Sequence, residues 1–210
     1  MSTSKRSGFT IIEVVLVLAI AGLIFLMVFI ALPALQRGQR NTQRKNDLSR
    51  FATAASSYMA NNSNKSPFVL NDKTNKVVTE EDKAKLRNFV TRYIDGDCQD
   101  GGGTLDDNPN WKKYVQTFTG CGSQFQDPDG ENYKIEVRYT YAPDFEGKMN
   151  QSVVKASTVK DAPLYDHRVL VYARAKCAPE EGWVIFGQGS AQFAMFYELE
   201  GGAFTCVDNQ

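Results

Sequence analysis

Residues 14–35 form a run of 22 residues without one formal charge, and that run limits what the rest of the chain can be. At about 1.5 Å of rise per residue a helix of this length reaches roughly 33 Å, enough to cross the roughly 30 Å of hydrocarbon in a bilayer. A cleaved secretory signal has a shorter apolar region, about 7–15 residues, ending at small residues. Residues 29–36, Phe-Ile-Ala-Leu-Pro-Ala-Leu-Gln, are a poor version of such a cleavage site. Most charged residues come after Arg37. The reading is therefore an apolar helix joined to a polar domain, and 210 residues leave room for one of each.

The averages hide this division. With 24 basic and 24 acidic residues, the chain as a whole has neither the basic excess of a nucleic-acid binder nor the composition of a disordered protein. The four cysteines, Cys98, Cys121, Cys177 and Cys206, all lie in the polar part, and none forms a C-x-x-C pair. With His167 the only histidine, a zinc site is poorly supported, and disulfides outside the cytoplasm are the better reading. Four cysteines permit three pairings. Cys98 with Cys121 and Cys177 with Cys206 is favoured, because each pair then staples one local unit.

Residues 1–8, Met-Ser-Thr-Ser-Lys-Arg-Ser-Gly, are polar and basic and give way abruptly at Phe9 to Phe-Thr-Ile-Ile-Glu-Val-Val-Leu. Glu13 is the one acid in the apolar segment that begins at Phe9. An unpaired carboxylate in lipid is costly, so Glu13 is either tolerated near the interface or awaits a positive partner in a helix bundle.

The string Lys5-Arg6-Ser7-Gly8-Phe9-Thr10-Ile11-Ile12-Glu13, followed by the apolar stretch, resembles the class III leader of type IV prepilins and pseudopilins. The resemblance implies removal of residues 1–8 by a prepilin peptidase cutting after Gly8, with N-methylation of Phe9. It implies that Glu13 pairs with the N-terminal amine of a neighbouring subunit and sets axial register. The implied partners are other pilins in a homo- or hetero-oligomeric filament, the prepilin peptidase, a pilus or secretion assembly platform, and the membrane. Before assembly such a protein sits as a single pass in the inner (cytoplasmic) membrane with its C-terminal domain outside the cytoplasm; afterwards it is part of an extracellular filament. Motility, adhesion or DNA uptake are the roles such pili serve; a type II secretion pseudopilin is the alternative. A single-span protein with a ligand-binding or catalytic domain of its own is the alternative from another class. Residues 5–40 carry the resemblance. Pro33 comes a little later than the helix-loosening proline often found in that family.

Charge runs against this orientation. Arg37, Arg40, Arg44, Lys45 and Arg50 follow the span, and a positive-inside count would keep the large domain in the cytoplasm. The leader and the cysteines favour export. The basic cluster reads as a solvated helical face in preference to a DNA-binding stripe, so no direct nucleic-acid site is expected.

Beyond Pro33 the helix resumes through residue 60, since Leu48, Phe51, Ala52, Ala55, Tyr58 and Met59 recur at three- and four-residue spacings. Residues 61–67 supply a helix stop and loop. A second helix spans 79–95, with acids at its start and Leu86, Phe89, Val90, Tyr93 and Ile94 on one face. Residues 95–109, rich in glycine and aspartate, read as a loop, and 111–118 as a helical turn or strand. Strands are expected at 133–142, 168–177, 191–199 and 203–207, the last two as a hairpin. The fold class is α+β: residues 9–35 the membrane or fibre-core helix, 36–62 its amphipathic continuation, and 63–210 an exported domain with a small antiparallel sheet, pilin-like in plan.

No enzyme, cofactor or metal is expected. Residues 127–132 carry oxygen ligands around Gly130 but lack EF-hand spacing, and Pro-Asp-Gly there is turn chemistry. His167 has no nucleophile motif beside it and reads as a strand-edge residue. Asn61, Asn64 and Asn150 begin N-x-S sequons that fit exposed loops.

Overall fold

A computed structural model describes residues 8–68, 78–108, 111–139, 153–155, 167–180, 183–186, 189 and 191–210; at 106–108, 111–113, 139 and 153–155 the backbone alone is described. Residues 1–7 of the leader, 140–142 of the expected strand, Asn150 and Asp166 lie outside the described residues. The chain divides into two units, 1–40 and 41–210.

The first helix, α1, runs Ile11–Asn61 without a break and contains Pro33. The expected interruption is absent because proline removes only one backbone donor, and the remaining turns of a long helix keep their own bonds. In the first unit its apolar side chains are exposed on every face, from Ile11 and Ile12 through Phe25, Phe29 and Leu35. In the second unit α1 changes character. Arg44, Asp47, Leu48, Phe51, Ala52, Ala55, Tyr58 and Met59 are buried along one stripe, the three- and four-residue spacing of a helix packed on one side. Asn61 ends the helix, and Ser63 and Asn64 take left-handed backbone angles of 55° and 59° in the turn that follows.

The second helix, α2 (Glu80–Tyr93), begins with a capping box in which Thr79 accepts from the Asp82 N–H and the Asp82 carboxylate accepts from the Thr79 N–H. Two of the otherwise unsatisfied first-turn donors are thereby bonded. Leu86, Phe89 and Val90 face the same core as α1.

The strands are β1 (Gln99–Asn108), β2 (Trp111–Thr119), β3 (Lys134–Tyr139), β4 (Val153–Lys155), β5 (Arg168–Ala173), β6 (Ala175–Cys177), β7 (Trp183–Phe186), β8 (Phe193–Glu198) and β9 (Phe204–Asp208). Six of them form a sheet in the order β1-β2-β3-β5-β8-β9, and β4-β7-β6 form a second. Among the described residues every pairing is antiparallel except β3 with β5. A long N-terminal helix thus packs, through its second half, on a small, mainly antiparallel sheet: the α+β plan of a pilin-like fold.

Both faces of that sheet are covered. On β5 and β8, Val169, Val171, Phe193, Met195 and Tyr197 point into the core shared with the helices. The alternate residues Leu170, Tyr172, Ala194 and Phe196 join Ala175, Val184 and Phe186 in a second core. The period-2 alternation of side chains is intact, yet four consecutive residues of β5 are buried because each face meets its own layer.

Two readings of the strand region require correction. Residues 95–109 are not all loop, since 99–108 form β1. Glycine and aspartate disfavour strands, but a register shift between Asp100 and Gly103 absorbs Gly102, at φ 91°, and β2 supplies the ladder. Residues 168–177 are not one strand. Arg174 adopts φ 56°, and there the chain leaves the six-stranded sheet for the three-stranded one.

Candidate functional site

At the N-terminal segment, Gly8, Phe9 and Thr10 are exposed and non-helical, and α1 begins at Ile11. The Gly8–Phe9 peptide bond therefore lies before the first helical turn. No heavy atom other than its chain neighbours approaches the Cβ position of Gly8 within 4 Å, and Phe9 is 89% exposed. From Gly8 onward that bond is exposed and lies outside the helix.

Thr10 and Glu13 make a second capping box. Glu13 Oε2 accepts from the Thr10 N–H and from the Thr10 hydroxyl, both at 2.8 Å, and the Glu13 N–H reaches the same hydroxyl at 3.4 Å. This is the Thr-x-x-Glu pattern that satisfies two orphan donors at a helix start. The sequence expectation for Glu13 did not include this cap, although Thr10 and Glu13 carry its signature. The carboxylate thus has local donors in the isolated chain and retains lone pairs for a further cation.

The basic segment after the span is not uniform. Arg37, Lys45 and Arg50 are exposed, but Arg44 is buried at 5%. Its Nε and Nη2 donate to Asp127 Oδ2 and Oδ1 at 2.7 and 2.6 Å, and Nη1 donates to Glu200 Oε1 at 2.8 Å. Asn41 ties the same corner, donating to the Glu200 carbonyl at 3.2 Å and accepting from its N–H at 3.0 Å. The Tyr197 hydroxyl donates to Asp127 Oδ2 at 2.6 Å. This buried fork joins α1 to the turn before β3 and to the β8–β9 hairpin. Reading Arg44 as part of a solvated face is corrected accordingly. The signal was available, because Arg44 stands four and seven residues before Leu48 and Phe51 on the buried stripe.

Burial alone would raise the Asp127 carboxyl, but the bonds from Arg44 and Tyr197 outweigh it and hold it below the usual range. The Tyr197 and Tyr133 hydroxyls are pushed well up, first by burial and then by the carboxylates of Asp127 and Asp47 respectively. Tyr133 donates to Asp47 Oδ2 at 2.9 Å.

Asp127, Asp129 and His167 bring three potential ligand atoms within 4.8 Å of one another. The donor set does not suit a metal, since both Asp127 oxygens already receive the Arg44 guanidinium and a cation would lie against that positive charge. The turn chemistry of the segment is present: the Gly130 N–H donates to the Asp127 carbonyl at 2.8 Å, with Gly130 at φ 98°.

The cysteines are joined as Cys98–Cys121 and Cys177–Cys206. The first links the end of the α2–β1 turn to the end of β2, and the second links β6 of the small sheet to β9 of the large one.

Residues 3–29 match the prokaryotic N-terminal methylation motif, which is characteristic of type IV pilin and pseudopilin leader peptides. The matched segment ends within an N-terminal helix long and apolar enough to cross a membrane. No curated protein and no solved structure matches the chain.

Proposed function

We propose that the chain is the membrane-anchored precursor of a type IV pilus-like filament subunit. In this reading a prepilin peptidase cuts after Gly8, Phe9 becomes the N-methylated first residue, and the subunit enters a filament through the helix that follows. The observation that carries the proposal is the methylation motif at 3–29 placed on a helix whose apolar side chains are exposed all round. A helix apolar on every face has two environments open to it, lipid or other such helices. Cutting before the helix keeps it on the mature protein for both, whereas ordinary signal processing discards the apolar segment.

Glu13 then acts after cleavage. Its carboxylate, held at the first turn by Thr10, accepts the charged amine of a neighbouring subunit's Phe9. In a low-dielectric core that attraction falls steeply with displacement and so selects one axial register. Copies related by a head-to-tail contact that does not close build an open helix. The two disulfides suit a domain displayed on the oxidising side of the membrane.

The test is intact mass and N-terminal sequencing of the protein from its native host. A chain starting at Phe9 with one added methyl is the expected result; a chain retaining Met1 overturns the reading. Surface fibres on the same cells are expected for a pilus subunit. Glu13→Ala is expected to insert in the membrane normally and to yield few filaments, and normal filament yield would refute the register role.

A further inference from the structure

We infer that the turn leaving α2, Asp95-Gly96-Asp97, is a binding site for a hard divalent cation of the calcium type. Asp95 immediately follows Ile94, the C-terminal cap of α2. A helix C-terminus presents carbonyl oxygens and the negative end of the helix dipole, so an acidic side chain there is unfavourable unless something positive joins it. Asp95 is nevertheless buried, at 7% exposure. Its Oδ1 accepts from the Asp97 N–H at 3.0 Å, which accounts for the turn. Its Oδ2 is buried and has no hydrogen-bond partner among the described residues. Native interiors rarely leave a carboxylate oxygen so, and an unoccupied ion position is one of the few explanations.

The orphan oxygen and the neighbouring carboxylate face one point. A Cβ built on Gly122 would stand 3.1 Å from Asp95 Oδ2, 3.5 Å from Asp95 Oδ1 and 3.5 Å from Asp97 Oδ2. Glycine at 122 leaves the space between the two carboxylates and the chain clear of a side chain. The disulfide fixes this geometry from outside: Cys98 follows Asp97, Cys121 precedes Gly122, and the two are bonded. Asp97 itself is exposed, so the site has an approach from solvent. Among the described residues neither Asp95 nor Asp97 forms an ion pair.

The donor chemistry selects the ligand class. Both side chains offer carboxylate oxygen and both nearby cysteines are bonded to each other, which suits a hard cation and leaves no thiolate for a soft one. Two carboxylates match a double positive charge. With two carboxylates as the charged ligands, the affinity expected is on the order of 0.1–1 mM, the range of extracellular calcium modules. The inference does not depend on filament assembly.

The test uses the full chain in detergent micelles, stripped with a chelator and then dialysed against radioactive calcium. Saturable uptake of one calcium ion per chain is expected, together with a rise in Tm on adding calcium. Asp95→Asn keeps the Oδ1 acceptor for the turn while removing the charge, and is expected to weaken uptake at least tenfold. Asp97→Asn, at an exposed position, is expected to do the same with the fold unchanged, and it decides the matter if Asp95→Asn fails to fold. Asp129→Asn, in the other acidic cluster, is expected to leave uptake as it is. Absence of saturable uptake at millimolar calcium, or uptake lost in Asp129→Asn and kept in Asp97→Asn, overturns the proposal.

Discussion

Replacing Arg44 with alanine tests the buried fork. The wild-type guanidinium makes two charge-assisted bonds to Asp127 and one to Glu200, with Arg44 and Asp127 at 5% and 2% exposure. Removing one member of a buried ion pair costs about 3–5 kcal/mol, since the other charge stays behind without compensation. Asp127 would retain the Tyr197 hydroxyl and the Asp129 N–H, which places the expected loss near the lower limit, about 3 kcal/mol. For a unit the size of residues 41–210, that lowers Tm by about 6–12 °C. Thermal unfolding of the full chain in detergent, followed by near-UV circular dichroism, measures it. Asp127→Asn combined with Arg44→Met should lose less than the two single changes added together, because the double variant leaves no lone charge at position 127. The pH dependence has a sign as well. Asp127 titrates below its unfolded value, so the pair's contribution is complete above about pH 4 and disappears as pH falls through the depressed folded pKa. The gap between wild type and Arg44→Ala should close in acid. A loss under about 1 kcal/mol at neutral pH, the value typical of an exposed pair, would refute the reasoning.

Three further outcomes are expected. Burial raises the hydroxyl pKa of Tyr58, Tyr133, Tyr172 and Tyr197 and carries Tyr114 to about 12; stability should therefore be complete below the unfolded tyrosine value of about 10 and fall as pH rises above it, with phenolate absorbance appearing together with unfolding. Gly103→Ala should destabilise by about 2–3 kcal/mol in a denaturant titration, because its Cβ would lie 1.9 Å from the hydroxyl oxygen of the buried Tyr114. Cys206→Ser, paired with Cys177→Ser so that no free thiol remains, opens a link between residues 29 apart and should cost about 3–4 kcal/mol by loop entropy; an unchanged Tm would show that the bond adds nothing.

Legibility from sequence varied with the range of the physics involved. The apolar run, the capping acids of α2 and the buried stripe from Leu48 to Met59 are local patterns, and periodicity shows them directly. The hairpin of β8 and β9 was legible for the same reason, its turn being Glu200-Gly201-Gly202. β1 was not, because its glycines and aspartates argue for loop until β2 supplies hydrogen bonds. Nor was the small β4-β7-β6 sheet, two of whose strands are three residues long and present too few residues for an alternation to stand out.

The candidate sites divide in the same way. Gly8, Phe9 and Glu13 were proposed from a short contiguous string, where residue type and order carry the information. The ion pair of Arg44 with Asp127 spans 83 positions, and the alignment of Asp95 with Gly122 spans 27; neither has any trace in local composition. The sequence alone determined that an apolar helix must precede a polar disulfide-bonded domain, because charge and hydrophobicity act residue by residue. Which charges pair, which strands pair and which carboxylates meet was decided only by the tertiary structure, because those depend on the proximity that folding creates between distant segments.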